Sequence, residues 1–448
     1  MNIPLSGENP SLSVINPYDT PRYRSYVLAM LTLTYVFNFV DRQIIAILQD
    51  PIKLEFGLSD TQLGLLNGLA FAAFYVGFGL PIARWADAGV RRNIVALALA
   101  VWSLMTVFCG MAQNYTQLLL ARIGVGVGEA GCSPPAHSMI SDIFPPAQRA
   151  TAMGTYSLGV NFGILIGFIA GGWLNEVYGW RVALMAVGAP GIILAVWLRL
   201  TVREPLRGFS DTGSQKAIIA SGEKLVPLAQ VFEYLWSFKS ARWLVFACAL
   251  TSVGGYGLAN WMPSFLIRSH GMGTAELGVW LALIAGVGGG LGTFFGGYLA
   301  DVLSKRDGRW VLWLPALSLA LALPFLFLTF VLSEKLSTLL IYIFPASVIS
   351  IYLGPSLATI HRLAPNRMRA MASALLFLVI NIIGLGVGPV AIGILSDILQ
   401  PTLQEQALRT ALLVMVCGGV LAGALCFFFG AKHLISDQIR ASQYNLGE

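Results

Sequence analysis

Twelve runs of apolar residues, each of about 20 to 30 residues, follow one another along this 448-residue chain with mostly short polar breaks. At 1.5 Å of rise per residue, a helix of that length crosses a hydrocarbon core about 30 Å thick. The expected spans are 26–48, 61–86, 93–112, 116–143, 149–176, 180–201, 241–268, 274–302, 309–332, 336–364, 367–397 and 404–432. The fold class is therefore an all-α integral membrane protein with twelve transmembrane helices in two sets of six. Only 11% of the residues are charged and 56% are hydrophobic, whereas a soluble domain carries about a quarter charged.

Orientation follows from the basic residues. About twenty polar residues precede the first run and no cleavage site follows a short apolar core, so the run reads as a retained helix with no signal peptide. With the N-terminus in the cytoplasm, Lys53, Arg181, Arg268, Lys335 and Arg409 fall outside, and Arg42 and Arg122 fall within the membrane. The rest of the 28 Lys and Arg gather inside. Both termini are expected in the cytoplasm, of a bacterium with the protein in its inner membrane. The net charge of +6 is then a consequence of topology, and no nucleic-acid partner is expected. The five cysteines lie in apolar runs without paired ligand spacing and read as free thiols; no metal or cofactor is expected. His137 and His361 have no partner at metal spacing and are read as structural or gating residues.

The fourth run contains ARIGVGVGEAGCSPP, in which Arg122 and Glu129 lie seven residues apart on one helical face, about 10 Å apart in rise. The first run contains YVFNFVDRQ, with Asn38, Asp41 and Arg42. Counting rise from the outer ends places Asp41 about 10 Å and Arg122 about 9 Å deep, so that the two can meet. Glu129 then lies near the bilayer middle with no cation at its own depth, and Arg42 joins the upper layer. Charges at such depth cost a few kcal/mol and are expected to face a polar interior. Two readings stand: an ion-pair cluster that glues two helices, or a proton-coupling site made of Glu129, Asp41, Arg122 and Arg42. The G-V-G-E-A-G pattern at 126–131 is no dinucleotide site, because it lies in a membrane helix without a βαβ unit.

The chain repeats itself. Asp87, Arg91 and Arg92 after the second run answer Asp301, Lys305 and Arg306 after the eighth, and GLSDTQLG from Gly57 answers GMGTAELG from Gly271, both at an offset of 214. Pro135, Pro145, Arg149, Ala150 and Asn161 answer Pro355, Pro365, Arg369, Ala370 and Asn381 at an offset of 220. One half is a copy of the other. The charges in the membrane are not copied: Asp41 corresponds to Gly255, and the counterparts of Arg122 and Glu129 are uncharged.

Two six-helix halves with an acidic residue and a basic pair after runs two and eight resemble the major facilitator superfamily, over nearly the whole chain. Asn38, Asp41 and Arg42, with Arg122, GVGVGEA and Ser133, resemble the spinster family of lipid-type transporters within it. In the general superfamily motif a basic residue follows the acidic one directly; here Ala88 and Val302 stand in those places. The resemblance implies a secondary active transporter, not an enzyme, with sphingoid, lysolipid or similar amphiphilic cargo.

Asp87, Arg91, Arg92, Arg149, Asp301, Lys305, Arg306 and Arg369 are expected to form a cytoplasmic gate, a carboxylate bonding helix-end N–H groups and a guanidinium such as that of Arg149 in one state only. The basic members are equally explained as topology signals. Four-residue glycine steps (Gly124 and Gly128; Gly163, Gly167 and Gly171; Gly288, Gly292 and Gly296; Gly384 and Gly388) suit either rocking surfaces or plain tight packing. Opposite the charges, Tyr256, Asn260, Trp261, Tyr298, Tyr342, Tyr352 and Asn381 are expected, with Asn38, to line a cavity for an amphiphile with a polar head and a long tail.

The expected divisions are a cytoplasmic tail 1–21, a first bundle 22–201, a linker 202–240 with an amphipathic helix at the membrane surface, a second bundle 241–432 and a tail 433–448. The expected function is proton-coupled transport of a lipid-like substrate by a monomer in contact with membrane lipids, through alternating access. A polyspecific drug/proton antiporter and a facilitated uniporter are the alternatives.

Overall fold

The computed structural model describes residues 18, 20–210 and 227–446. Most of the tail expected over 1–21, the polar middle of the linker and the last two residues lie outside the described residues. Among the described residues, twelve helices correspond to the twelve expected spans. They are α1 (Pro21–Phe56), α2 (Asp60–Ala88), α3 (Arg91–Met111), α4 (Tyr115–Glu129, continued by Ser133–Ile143), α5 (146–178), α6 (180–201), α7 (Lys239–His270), α8 (Thr274–Ser304), α9 (Trp310–Val331), α10 (Lys335–Leu363), α11 (369–403) and α12 (Ala407–Leu446). A linker helix, Leu228–Trp236, precedes α7, burying Val231 and Leu235 and leaving Phe232 and Trp236 exposed. The tail expected from 433 is instead helical. It continues α12, whose buried Asp437 accepts bonds from the Ser240 amide and hydroxyl, both at 2.7 Å, and so ties the end of the chain to the start of α7.

The turns explain themselves locally. Gly57 and Gly271, equivalent positions in the repeat, end α1 and α7 at φ +62° and +60°, a backbone region that glycine enters without a Cβ clash. Ser59 and Gln62 then form a capping box on α2, and Asn114 and Glu334 cap α4 and α10 through their side chains. Gly179, at φ +80°, separates α5 from α6 with no loop at all.

Glycine decides how closely helices approach, and its four-residue steps all face partners in their own half. Gly163, Gly167 and Gly171 lie on Phe39, Val40 and Ile44 of α1, and Gly124 and Gly128 lie on Met105 and Trp102 of α3. Gly288, Gly292 and Gly296 meet Ser347 and Ile351 of α10, while Gly384 and Gly388 meet Ser252 and Val253 of α7. These stripes are tight packing within each bundle, not sliding surfaces between bundles.

Different residues join the halves. Gly64 and Gly68 of α2 lie on the α11 backbone at Pro389 and Gly386, and Gly393 lies on Asp60. Gly172 of α5 meets Thr274, and Gly278 of α8 meets Phe168. All of these contacts lie toward the Gly57 and Gly271 turns, here called the far side. On the other side, where α1 begins and α12 ends, a Cβ added at Gly77, Gly79, Gly154 or Gly297 would meet no neighbouring atom within 4 Å. The halves are closed on the far side and parted on the termini side. Near mid-membrane, three of the four seam helices lose regular α geometry: α2 breaks at Gly68 (φ −103°, ψ −94°), and α8 and α11 pass through π turns at Ala282–Gly288 and Ile380–Val387, which still pack on α5 and α2. The fourth, α5, runs unbroken.

Candidate functional site

Arg42 stands at the seam. Its Nε donates to Glu129 Oε2 at 2.5 Å, with the arginine side chain 17% exposed and the glutamate fully buried. Around the guanidinium lie the rings of Phe39, Phe71 and Tyr75, at 5.0, 5.1 and 4.7 Å to their centroids. A desolvated cation over aromatic faces gains about 2 kcal/mol in favourable cases. The pairing expected from depth is therefore corrected: Glu129 does have a cation, and it is Arg42. Asp41 and Arg122 share a buried environment but make no ion pair with each other among the described residues. Asp41 borders Thr106 of α3, and Arg122 stands 5.4 Å over Phe71. The physical reason is reach. An arginine head travels several ångströms from its Cα, so the depth of a Cα does not fix the depth of the charge. Asn38, 1% exposed, lies buried beside Glu129 rather than on the cavity wall.

The aromatic wall is thinner than expected. Tyr256 is half-buried within electrostatic reach of Arg42 and Tyr75, and Tyr352 follows it, so these tyrosines carry the site across from the first half to the second. Trp261 does not line a cavity: it is fully buried, and its indole N–H donates to Pro389 O at 2.9 Å inside the second half. Tyr342, 4% exposed, is likewise core, whereas Tyr298 on α8 is 60% exposed. Asn260 and Asn381 donate to carbonyls one turn back, Tyr256 O and Phe377 O, both at 2.8 Å.

The far-side closure contains a polar cluster whose members spacing along the chain does not bring together. Arg268 of α7 pairs with Asp60 through Nη1 (3.0 and 2.9 Å to the two oxygens) and with Asp50 at 2.6 Å. Lys53 reaches the same Asp60 at 2.5 Å. Asp397 of α11 accepts the Asp60 and Thr61 amides at 2.9 and 2.8 Å, and Ser396 donates to Asp60 at 2.7 Å. Gln49 donates to Ser264 and to Asn260 O, and accepts from Asn67. The one linear signal was the presence of opposite charges at the outer ends of the first, second and seventh runs.

On the termini side, the bonds that the expected gate residues make to other described residues each stay within one half. Arg91 is 1% exposed and bonds Asp142, Glu204 at 2.8 Å, Ser138 and Pro205 O; Arg92 donates through its amide to Glu204 and through its side chain to Val202 O. Both are thus built into the first bundle, where they bind the beginning of the linker. Arg149 donates to Phe144 O and Ser210, and Arg369 to His361 O and Ala364 O. Asp87 and Asp301 are exposed, and among the described residues their carboxylates have no partner. Lys305 and Arg306 are exposed as well.

A family profile described as the Major Facilitator Superfamily matches residues 31–389. The chain belongs to the major facilitator superfamily. This facilitator-superfamily transporter is 34% identical over 423 residues to an MFS-type efflux pump of Mycolicibacterium smegmatis, covering 94% of this chain and 96% of that one. It is 25% identical to protein spinster homolog 1 of Xenopus tropicalis, over 95% and 84% of the two chains. Among solved structures it resembles a bacterial homolog of the human lysosomal transporter spinster, in an inward-facing and unoccupied conformation. The TM-score is 0.81 at 33% identity, covering 94% of this chain and 98% of that one. The occupied inward-facing form of such a homolog gives a TM-score of 0.76 at 32% identity, over 95% and 98% of the chains. The superfamily assignment, the spinster resemblance and the all-α fold expected from the sequence are thereby established.

Proposed function

We propose that this transporter moves an amphiphilic, lipid-like substrate of the sphingoid or lysolipid type across a bacterial inner membrane by alternating access, coupled to protons, as a monomer with both termini in the cytoplasm. The termini side is then the cytoplasmic side and the described state faces inward. The two bundles, 22–201 and 241–432, are the moving units, joined by the linker 202–240. The observation that carries the reading is the buried Arg42–Glu129 pair, caged by rings and open on one side. A proton on Glu129 removes the charge that holds Arg42, and the freed guanidinium then takes the polar head of the substrate while the aromatic walls take its tail. Loading of proton and cargo biases the two states differently, which is what coupling requires. A membrane potential supplies about 2.3 kcal/mol per charge per 100 mV, roughly a 50-fold gradient of cargo. Resemblance to spinster proteins supports the lipid-like class.

A second reading, a drug/proton antiporter, draws support from the efflux pump that shares a third of its residues with this chain. Proteoliposome transport separates the two, using labelled sphingoid base, lysolipid and cationic dye, with and without a pH gradient, for wild type and Glu129→Gln. Gradient-driven movement of the lipids by wild type alone is the expected result. Gradient-driven movement of the dye alone supports the antiporter, and flux indifferent to the gradient in both proteins supports a uniporter.

A further inference from the structure

The linker helix Leu228–Trp236 presents different chemistry on different faces. Phe232 and Trp236 are exposed and stacked, with 5.2 Å between ring centroids, and Trp236 meets the exposed Phe246 of α7 at 6.0 Å. Such a ring row belongs at the boundary between acyl chains and headgroups. Another face of the same helix borders a cavity of about 580 Å³, a size within the range of roughly 300–1,000 Å³ usual for ligand sites. Its walls are Glu233 and Tyr234 of the linker helix, Ser237 and Phe238 at the junction with α7, Arg367 in the turn between α10 and α11, and Arg440 on the extension of α12. Tyr234 donates its hydroxyl to Leu363 O at 3.1 Å, which fastens the linker helix to the end of α10. Arg440 is held in direction: its Nη2 donates to Ser237 O at 2.7 Å, and its guanidinium lies 4.6 Å over the Phe238 ring. A guanidinium carries five N–H donors, so that bond leaves most of them for a ligand.

The two bundles answer their termini-side cations differently. In the first, Arg91 is buried against Asp142 and Glu204 of the same chain. In the second, Lys239, Lys432 and Arg440 are exposed and make no ion pair among the described residues. Lys432 instead stands 5.0 Å over the rings of Phe428 and Phe429, its stem along apolar surface and its charge at the boundary. The repeat shows the same asymmetry, since Arg367 corresponds to Ala147 at the offset of 220. The second bundle thus carries an excess of positive charge that an outside anion can offset. We infer that the cavity binds the phosphodiester of an anionic phospholipid from the inner leaflet, between Arg367 and Arg440, and so clamps the linker helix to the second bundle. The acyl chains lie in the layer that the ring row marks, an apolar neighbour that a free phosphate would not use. Glu233 at the cavity opposes an anion and limits the affinity. The inference rests on the cytoplasmic placement of the termini side in the reading above.

The test is hydrogen–deuterium exchange of the whole protein in nanodiscs of phosphatidylcholine with a rising fraction of phosphatidylglycerol. Amides of Leu228–Trp236 are expected to exchange more slowly as that fraction rises. One basic side chain at an anionic surface is worth roughly a fivefold preference, so the fraction giving half of the effect is expected to rise about fivefold in Arg367→Gln and in Arg440→Gln, and to fall in Glu233→Gln. Exchange that ignores lipid charge overturns the site, as does an equal rise in Lys239→Gln, a lysine outside the cavity, which would mean a general surface attraction. Slowing by inorganic phosphate in pure phosphatidylcholine overturns the lipid as the source of the anion. Both leaflets of a nanodisc carry the same lipids, so binding is read whichever way the chain is oriented. The placement itself is tested apart, by treating intact cells that carry Lys305→Cys with a membrane-impermeant maleimide: labelling there would refute the cytoplasmic placement and with it the inner leaflet as the source.

Discussion

Arg42 has two kinds of partner, a carboxylate bonded to its Nε and aromatic rings around its guanidinium, and lysine reproduces only the charge. Arg42→Lys is expected to lower transport at least tenfold in proteoliposomes. Its loss and that of Glu129→Gln are expected to be non-additive, the double variant losing less than the product of the single losses, because the two residues act as one pair. Multiplicative losses would show that they act independently. The identity of this pair was only half legible in the sequence. Glu129, Arg122, Asp41 and Arg42 announced themselves as charges inside apolar runs, and depth followed from rise per residue. Which cation meets which carboxylate depends on helix azimuth and on the reach of the arginine chain, and neither is encoded in spacing along one helix.

At the scale of the helix, the far-side cluster is the lock on the described state. Asp60 is 1% exposed and shares Arg268 with Asp50, so Arg268→Ala leaves a buried carboxylate short of its main cation, a change that costs about 3–5 kcal/mol. Part of that cost falls on the closed end alone. A cysteine placed at the fully buried Ser264 is expected to be alkylated from the far side roughly 100-fold faster in the Arg268→Ala background, equivalent to about 3 kcal/mol. Gly393→Leu is expected to speed the same alkylation without touching a charge, since its Cβ runs into the Asp60 backbone. Unchanged alkylation in both variants would mean that closure is held elsewhere. The helices themselves were legible, because length, apolarity and turn residues all act locally. The cluster was not, because residues 60, 268 and 397 meet only once the two halves are packed together.

Considered whole, the molecule is closed at one end by its polar seam and parted at the other, where Asp87 and Asp301 stand unpaired among the described residues. Spin labels at Val90 and Lys305, exposed turns of the two halves on the termini side, are expected to report a long distance at rest and a shorter population once cargo and a pH gradient are supplied. Asp87→Asn is expected to deplete that shorter population if this carboxylate latches the opposite state; an unchanged distribution would remove it from that role. The repeat made the two halves visible in advance, including the equivalent glycine turns at Gly57 and Gly271. It did not foretell which glycine faces join the halves, since both kinds of contact use the same residue at similar spacing. The interruptions in α2, α8 and α11 have a consequence for the time axis of backbone exchange. Amide deuteration is expected to outpace that of adjoining turns at Gly68, Ala282–Gly288 and Ile380–Val387, while α5 at the same level stays protected. A deuterium map would then draw a line of fast exchange across three helices at mid-membrane, interrupted at one continuous strut.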